Sequence, residues 1–197
     1  YYNTSGEVFM ARQVEPGDAY TLKALIPQRS EALREAVIQA ERNSDDQYQD
    51  ILSDYTVLPL GIDEGVYALT VEIIQNAASA YDRALAIESY LRQNYTYTLE
   101  VGYPPEGRDF VSYFVLESKE GYCSYFASAM AVMGRIAGLP TRYVEGYVAR
   151  PDANGQATLT GEDAHAWVEV YFKGIGWLPF DASGGAGGGA QQRHVQQ

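Results

Sequence analysis

The 197-residue sequence holds one cysteine, Cys123, and two histidines, His165 and His194. Cys123 stands immediately before residues 124–137, where Ala127, Met130, Ala131 and Met133 recur at helical spacing, with Gly138 as a C-terminal cap and Pro140 as a stop. A thiol at a helix start meets unpaired backbone amides and the positive end of the helix dipole. Both favour the thiolate, which is the nucleophilic form. Taken alone, a single cysteine reads as a buried structural thiol, so its neighbours have to decide.

His165 opens the run HAWVEVYF, which places His165, Trp167, Glu169 and Tyr171 on one face of a strand and Ala166, Val168, Val170 and Phe172 on the other, core-facing side. Asp181 closes the next run, GWLPFD, and the KGIG turn between the two sets the register. A three-residue loop, Lys173 to Ile175, pairs Phe172 with Gly176 and puts Asp181 opposite Trp167, on the face of His165 and diagonal to it. A four-residue loop would set Asp181 opposite Val168 and turn its carboxylate away through the sheet. The three-residue loop is the expectation. In that register Asp181 holds the imidazole in one tautomer and stabilises its charged form, while the other ring nitrogen takes the thiol proton.

The elements that must position these groups read as follows. AYTLKALIP, between the EPGD turn and Pro27, reads as a strand. Ser30 is an N-cap candidate for a helix with Leu33, Val37 and Ala40 on one face, ended by the polar stretch NSDDQYQD. Residues 66–78 give a second helix through Leu69, Ile73 and Ala77, and Ser79 with Asp82 resembles a capping box opening a third, which carries Ala84, Ile87 and Leu91. YTYTLEV alternates as a strand before the PPEG turn. After the Cys123 helix, TRYVEGYVA, an Asn154-Gly155 turn, HAWVEVYF and WLPFD read as an antiparallel sheet, and the segment from Gly184 as a flexible glycine-rich tether.

Composition excludes several functions. Fourteen Lys and Arg against 26 Asp and Glu give a net charge of −12, with the positive charges scattered singly, so a phosphate backbone is repelled and nucleic acid is not the expected partner. One cysteine excludes an internal disulfide, and one cysteine with two histidines cannot build an ordinary zinc cluster. Asp152, Asn154 and Gly155 resemble the start of a calcium loop, but residues 157–161 supply almost no further ligands, so no metal and no other cofactor is expected. No run approaches the ~18 consecutive apolar residues of a membrane helix. The start at Tyr1 carries no signal-peptide pattern and points to a processed or excised piece of a longer protein. The tail glycines follow no strand and open no helix, so they form no dinucleotide fingerprint. Asn3-Thr4-Ser5 spells a glycosylation sequon.

GYCSYFASAMAVMGRIAGLPTRYVEGY, then HAWVEVYFKGIGW, then FDAS, with 42 positions from Cys123 to His165 and 16 from His165 to Asp181, resembles the transglutaminase-like superfamily, and within it the bacterial membrane-anchored group. AIESYLRQNYTYT and GRDFVSYF fit the same pattern ahead of the cysteine. The resemblance implies an α+β fold with a papain-like core: a central helix with Cys123 at its start, packed on an antiparallel sheet whose adjacent strands supply His165 and Asp181. The expected organisation is an N-terminal strand and helical extension over 1–66, a catalytic core over 67–183 and the tail over 184–197. By the same resemblance Cys123 is the nucleophile, His165 the general base and then acid, and Asp181 the orienter. Ala182-Ser183 departs from the Pro-Thr usual in the family.

The chemistry implied is attack on a carboxamide or peptide carbonyl, giving a thioester on Cys123 that passes to a primary amine, such as a lysine side chain, or to water. The oxyanion needs two donors: the Cys123 amide is one, and Tyr97 is the candidate for the second, with Tyr95 behind it. Trp167 and Trp177 resemble residues that wall such a site, although plain core packing reads equally well. Glu162 and Asp163, just ahead of His165, would favour a cationic amine. The alternatives are a cysteine peptidase or amidase of the same fold, and a peptide-binding module without turnover. The resemblance also implies membrane helices on either side in the full-length protein, holding this portion outside the cytoplasm.

Overall fold

In the computed structural model of the protein, which describes residues 28–43, 46–150, 152–154 and 156–184, the apolar run after Tyr122 forms a helix, α6, over Cys123–Ile136. To reach it the chain builds five other helices: α1 Glu31–Ala40, α2 Asp46–Tyr55, α3 Glu64–Ile74, α4 Ala80–Asn94 and α5 Phe110–Tyr113. The last runs on into a π-helical turn, Phe114–Ser118. The expected strand at 19–27, the sequon and the residues beyond Gly184 lie outside the described residues, as does Gly155 of the expected turn.

Cap chemistry sets the helix starts. The Ser30 hydroxyl accepts from the Leu33 amide, and the Ser79 hydroxyl accepts from the Asp82 amide while donating to the Asp82 carboxylate at 2.8 Å. α3 starts at Glu64, before the expected Val66, because Asp63 accepts from the Gly65 amide, and it ends at Ile74, short of the expected Ala78. NSDDQYQD closes α1 but then enters α2, where Ile51 is buried. YTYTLEV makes no full strand: only β1, Thr96–Tyr97, pairs, and it pairs in parallel with β2, Glu120–Gly121.

α6 is enclosed on nearly every side. Tyr125, Phe126, Ala127 and residues 129–134 are all buried, which suits a helix packed against α3, α4, α5 and the sheet. At Gly134 a Cβ would stand 2.6 Å from Thr141 Cγ2, so glycine is what lets α6 lie close to the first sheet strand. Gly138 takes φ +76° and closes the helix as the expected cap.

The sheet is antiparallel in the order β3 Thr141–Tyr147, β4 Ala164–Phe172 and β5 Gly176–Phe180. β4 alternates as expected, with Ala166, Val168, Val170 and Phe172 buried. Its pairing with β5 runs from Phe172↔Gly176 to Val168↔Phe180, across the three-residue loop the sequence called for. Continued by one residue, that register sets Asp181 opposite Trp167. Mixed helix and antiparallel sheet around a central helix headed by the cysteine is the expected α+β, papain-like arrangement.

Candidate active site

Cys123 is the first residue of α6 and only partly buried. It opens on a cleft of about 360 Å³ that is also lined by Ser124, Glu145, Gly146, Tyr147 and His165. Tyr122, at the N-cap, supplies no side-chain oxygen to the first turn, so the positive helix end is not neutralised there by a cap.

His165 reaches the cleft from β4, and its Nε2 stands 2.9 Å from Asp181 Oδ2. Both side chains are largely enclosed, at 10% and 17% exposure, so the bond is shielded from water. The second oxygen of Asp181, Oδ1, accepts from the Ser183 hydroxyl at 2.6 Å and the Ser183 amide at 3.0 Å. Burial opposes the charge on Asp181, but the bonds to His165 and Ser183 outweigh it and hold the carboxyl below the usual carboxylate range. The departure from Pro-Thr is therefore filled: Ser183 supplies the hydroxyl that fixes the carboxylate, and Ala182 packs into the core.

The backbone of Asp181 is held as firmly as its side chain. Its amide donates to Glu88 Oε1 at 2.8 Å, and its carbonyl accepts from the Arg92 guanidinium. Glu88 is 3% exposed and bound through both oxygens by Arg29, at 2.5 and 2.9 Å. None of these partners was singled out from the sequence. Glu88 and Asp181 are 93 positions apart, and a glutamate in a helix reads as solvent-facing; the one available signal was its place one position after the buried Ile87 on α4.

The β1–β2 pairing brings Tyr97 to Cys123. Thr96 and Thr98 donate amides to Lys119 and Gly121, and the Tyr97 ring lies stacked 6.2 Å from Phe126. Although Tyr97 is 47% exposed, burial pushes its phenol up. The Cys123 sulfur pushes it further in the same direction, while the Cys123 backbone draws it down. The phenol is thus close enough to Cys123 to sense its charge. Tyr95 is elsewhere: its hydroxyl donates to the Val115 carbonyl at 2.7 Å in the core.

Trp167 and Trp177 separate. Trp167 stacks beside His165, with centroids 6.4 Å apart and planes 18° from parallel, and it covers Gly146, where a Cβ would be 2.8 Å from its Cη2. Trp177 pairs with Tyr171 at the far end of β4, six residues or about 20 Å from His165. It is packed by Tyr55, Tyr171 and the Arg142 guanidinium, so the expectation that it walls the site is corrected. Glu162 and Asp163 do not line the cleft. Asp163 is committed to Thr160, accepting from its amide and hydroxyl, and the carboxylate lining the cleft is Glu145, which the sequence reading missed. The Tyr143 hydroxyl donates to Glu145 at 2.6 Å and lies 3.3 Å from Ser124 Oγ.

The Asp152 carboxylate accepts from the Asn154 and Gln156 amides within its own turn. Among the described residues no group of three or more His, Cys, Asp or Glu is placed to hold a metal, and no helix is long and apolar enough to cross a membrane.

Residues 67–182 match the family described as the transglutaminase-like superfamily. A protein of Bacillus subtilis named YebA is 39% identical over 139 residues, which are 66% of this chain and 19% of that protein. A protein-glutamine gamma-glutamyltransferase of Pseudomonas aeruginosa is 35% identical over 129 residues, 63% of this chain and 19% of that one. The crystal structure of the periplasmic domain of TgpA from the same organism, bound to ethylmercury, is 30% identical with a TM-score of 0.60, over 70% of this chain and 50% of that one. The chain thus spans about a fifth of the length of these two curated relatives.

Proposed function

The chain belongs to the transglutaminase-like superfamily, and from that premise we propose that it is an enzyme forming an acyl-thioester on Cys123 from a peptide or protein carboxamide and transferring the acyl group to a primary amine or to water. The observation that carries this is the His165 Nε2 to Asp181 Oδ2 bond of 2.9 Å, on an imidazole that shares its cleft with the Cys123 thiol.

In this reading His165 takes the thiol proton and the sulfur attacks the carboxamide carbon. The negative charge passes to the carbonyl oxygen, which the Cys123 amide and the Tyr97 hydroxyl stabilise. The C–N bond then breaks, with the imidazolium giving its proton to the departing ammonia. An amine, or water, attacks the thioester in turn. His165 takes its proton, the C–S bond breaks, and the electron pair returns to sulfur. Asp181 stays ionised throughout and stabilises the imidazolium. Trp167 covers the imidazole edge and limits water there. Transfer to an amine is favoured by the acidic lining at Glu145 and by the glutamyltransferase relative.

The likeness to a periplasmic domain supports placing this portion outside the cytoplasm, within a longer membrane-tethered protein. The test of the reaction is mass spectrometry of a glutamine peptide incubated with and without a primary amine. Amine incorporation that Cys123→Ala abolishes supports transfer, and a gain of about 1 Da alone supports hydrolysis. An unmodified peptide under both conditions rejects the reading.

A further inference from the structure

We propose that Arg29, upstream of the residues that match the family, is a positioning residue for this site: it fixes Glu88, and Glu88 fixes the peptide of Asp181 where the carboxylate meets His165. The inference rests on the Cys123–His165–Asp181 reading above and extends it to the segment ahead of α1.

Arg29 makes three contacts around the end of β5. Its two Nη atoms form a fork on Glu88, its Nη2 also donates to the Pro179 carbonyl at 2.9 Å, and its guanidinium lies 4.6 Å from the centre of the Phe180 ring. Pro179 and Phe180 are the two residues before Asp181, and the Asp181 amide bonds to the oxygen of Glu88 that Arg29 Nη2 also holds. One planar group therefore ties a buried carboxylate, a carbonyl and a ring into the strand end from which Asp181 projects.

A buried carboxylate without a cation is unstable in place. Arg92 reaches Glu88 only at 3.5 Å and also binds the Asp181 carbonyl, so it cannot replace the two-point fork of Arg29. Without Arg29, Glu88 is expected to take up a proton or turn towards solvent, and the Asp181 amide loses its acceptor. Displacements of about 1 Å at such a distance from the chemistry cost on the order of 100-fold in rate. The surrounding groups that bear on Arg29 are Glu88, Tyr81 and Asp181, and the Glu88 hydrogen bonds are the largest influence on its charge.

The test reads Cys123 directly, in the 197-residue chain, as the pH dependence of alkylation by iodoacetamide at a temperature well below unfolding. In the proposed reaction the sulfur attacks as a thiolate beside an imidazolium that Asp181 orients, so a displaced Asp181 is read out as a change in the acid limb of alkylation. In Arg29→Ala the acid limb is expected to move up by about one pH unit, the tenfold change that one unit represents. Arg29→Lys, which keeps the charge but not the fork, should fall between. Arg29→Ala with Glu88→Gln should lose no more than the worse single variant, because the two act as one device. An acid limb within about 0.2 units of the parent in Arg29→Lys and Arg29→Ala, or losses that add in the double variant, overturns the proposal. If Arg29→Ala does not fold, Arg29→Lys alone decides. Alkylation needs no substrate, so this result is independent of whether the glutamine peptide is turned over.

Discussion

His165 meets Asp181 through Nε2, at 2.9 Å, and this leaves Nδ1 as the ring nitrogen able to exchange a proton with Cys123. The carboxylate thereby fixes the tautomer as well as the charge. Asp181→Asn keeps the size of the side chain but can present its amide to the ring in the wrong sense. The expected loss is about 10²–10⁴-fold in kcat for ammonia release from a glutamine peptide. A loss under fivefold would show that the ring is oriented by something else.

Ser183 holds the other oxygen, and its removal has a pH signature. Because the folded carboxyl titrates below its unfolded value, the stability it contributes is present above about pH 4 and is lost as pH falls through the lowered value. Ser183→Ala should therefore cost about 1–2 kcal/mol at neutral pH. The difference from the parent should shrink as the pH is taken below about 4 in urea titrations. A difference that grows on acidification would contradict the assignment.

Tyr97→Phe removes the hydroxyl beside the Cys123 amide and leaves the stack on Phe126 in place. If that hydroxyl binds the oxyanion, kcat falls by about 10²–10³ while KM changes little. Steady-state kinetics separate this from a binding role, in which KM would carry the change.

Gly146→Ala drives a methyl group into Trp167, whose indole is rigid and stacked beside His165. The expected outcome is a roughly tenfold fall in kcat/KM with a shifted tryptophan emission, since a ring displaced by about 1 Å disturbs the imidazole it covers. Unchanged emission with full activity would mean that the backbone of β3 gives way instead.

Trp177→Phe provides the contrast. Trimming a ring packed among Tyr55, Tyr171 and Arg142 should lower stability by about 1–3 kcal/mol in denaturant titrations. With a centre about 20 Å from the cleft, kcat should not follow.

Residues whose partners lie close in sequence were legible. The α6 periodicity, its glycine cap and the β4–β5 turn each carry a local signal, and together they placed Cys123 at a helix start and Asp181 within reach of His165. What escaped depends on remote partners. α2 reads as a polar stretch because, among its described side chains, Ile51 alone is buried, while Tyr48 and Tyr55 reach the sheet through ring contacts with Tyr171 and Trp177. YTYTLEV alternates, yet only two of its residues find a strand to pair with, and that strand is the two-residue β2. Trp177 belongs to a face of the sheet that α2 covers, which no pattern within WLPFD could reveal. Glu88 looks like any helix-surface acid until Arg29 and Asp181 are brought to it from 59 and 93 positions away.

The turn Lys173 to Ile175 also constrains how such chains can diverge. Adding or deleting a single residue there would exchange the two sides of β5 and point the acid away from the imidazole, while leaving most of the backbone ladder able to form. Descendants can change side chains there, within the demand of Gly174 for φ +69°, but they can alter the count only in pairs. Length variation among relatives should therefore accumulate between β3 and β4, where the excursion from Val148 to Thr160 separates the strands without setting which side either one shows.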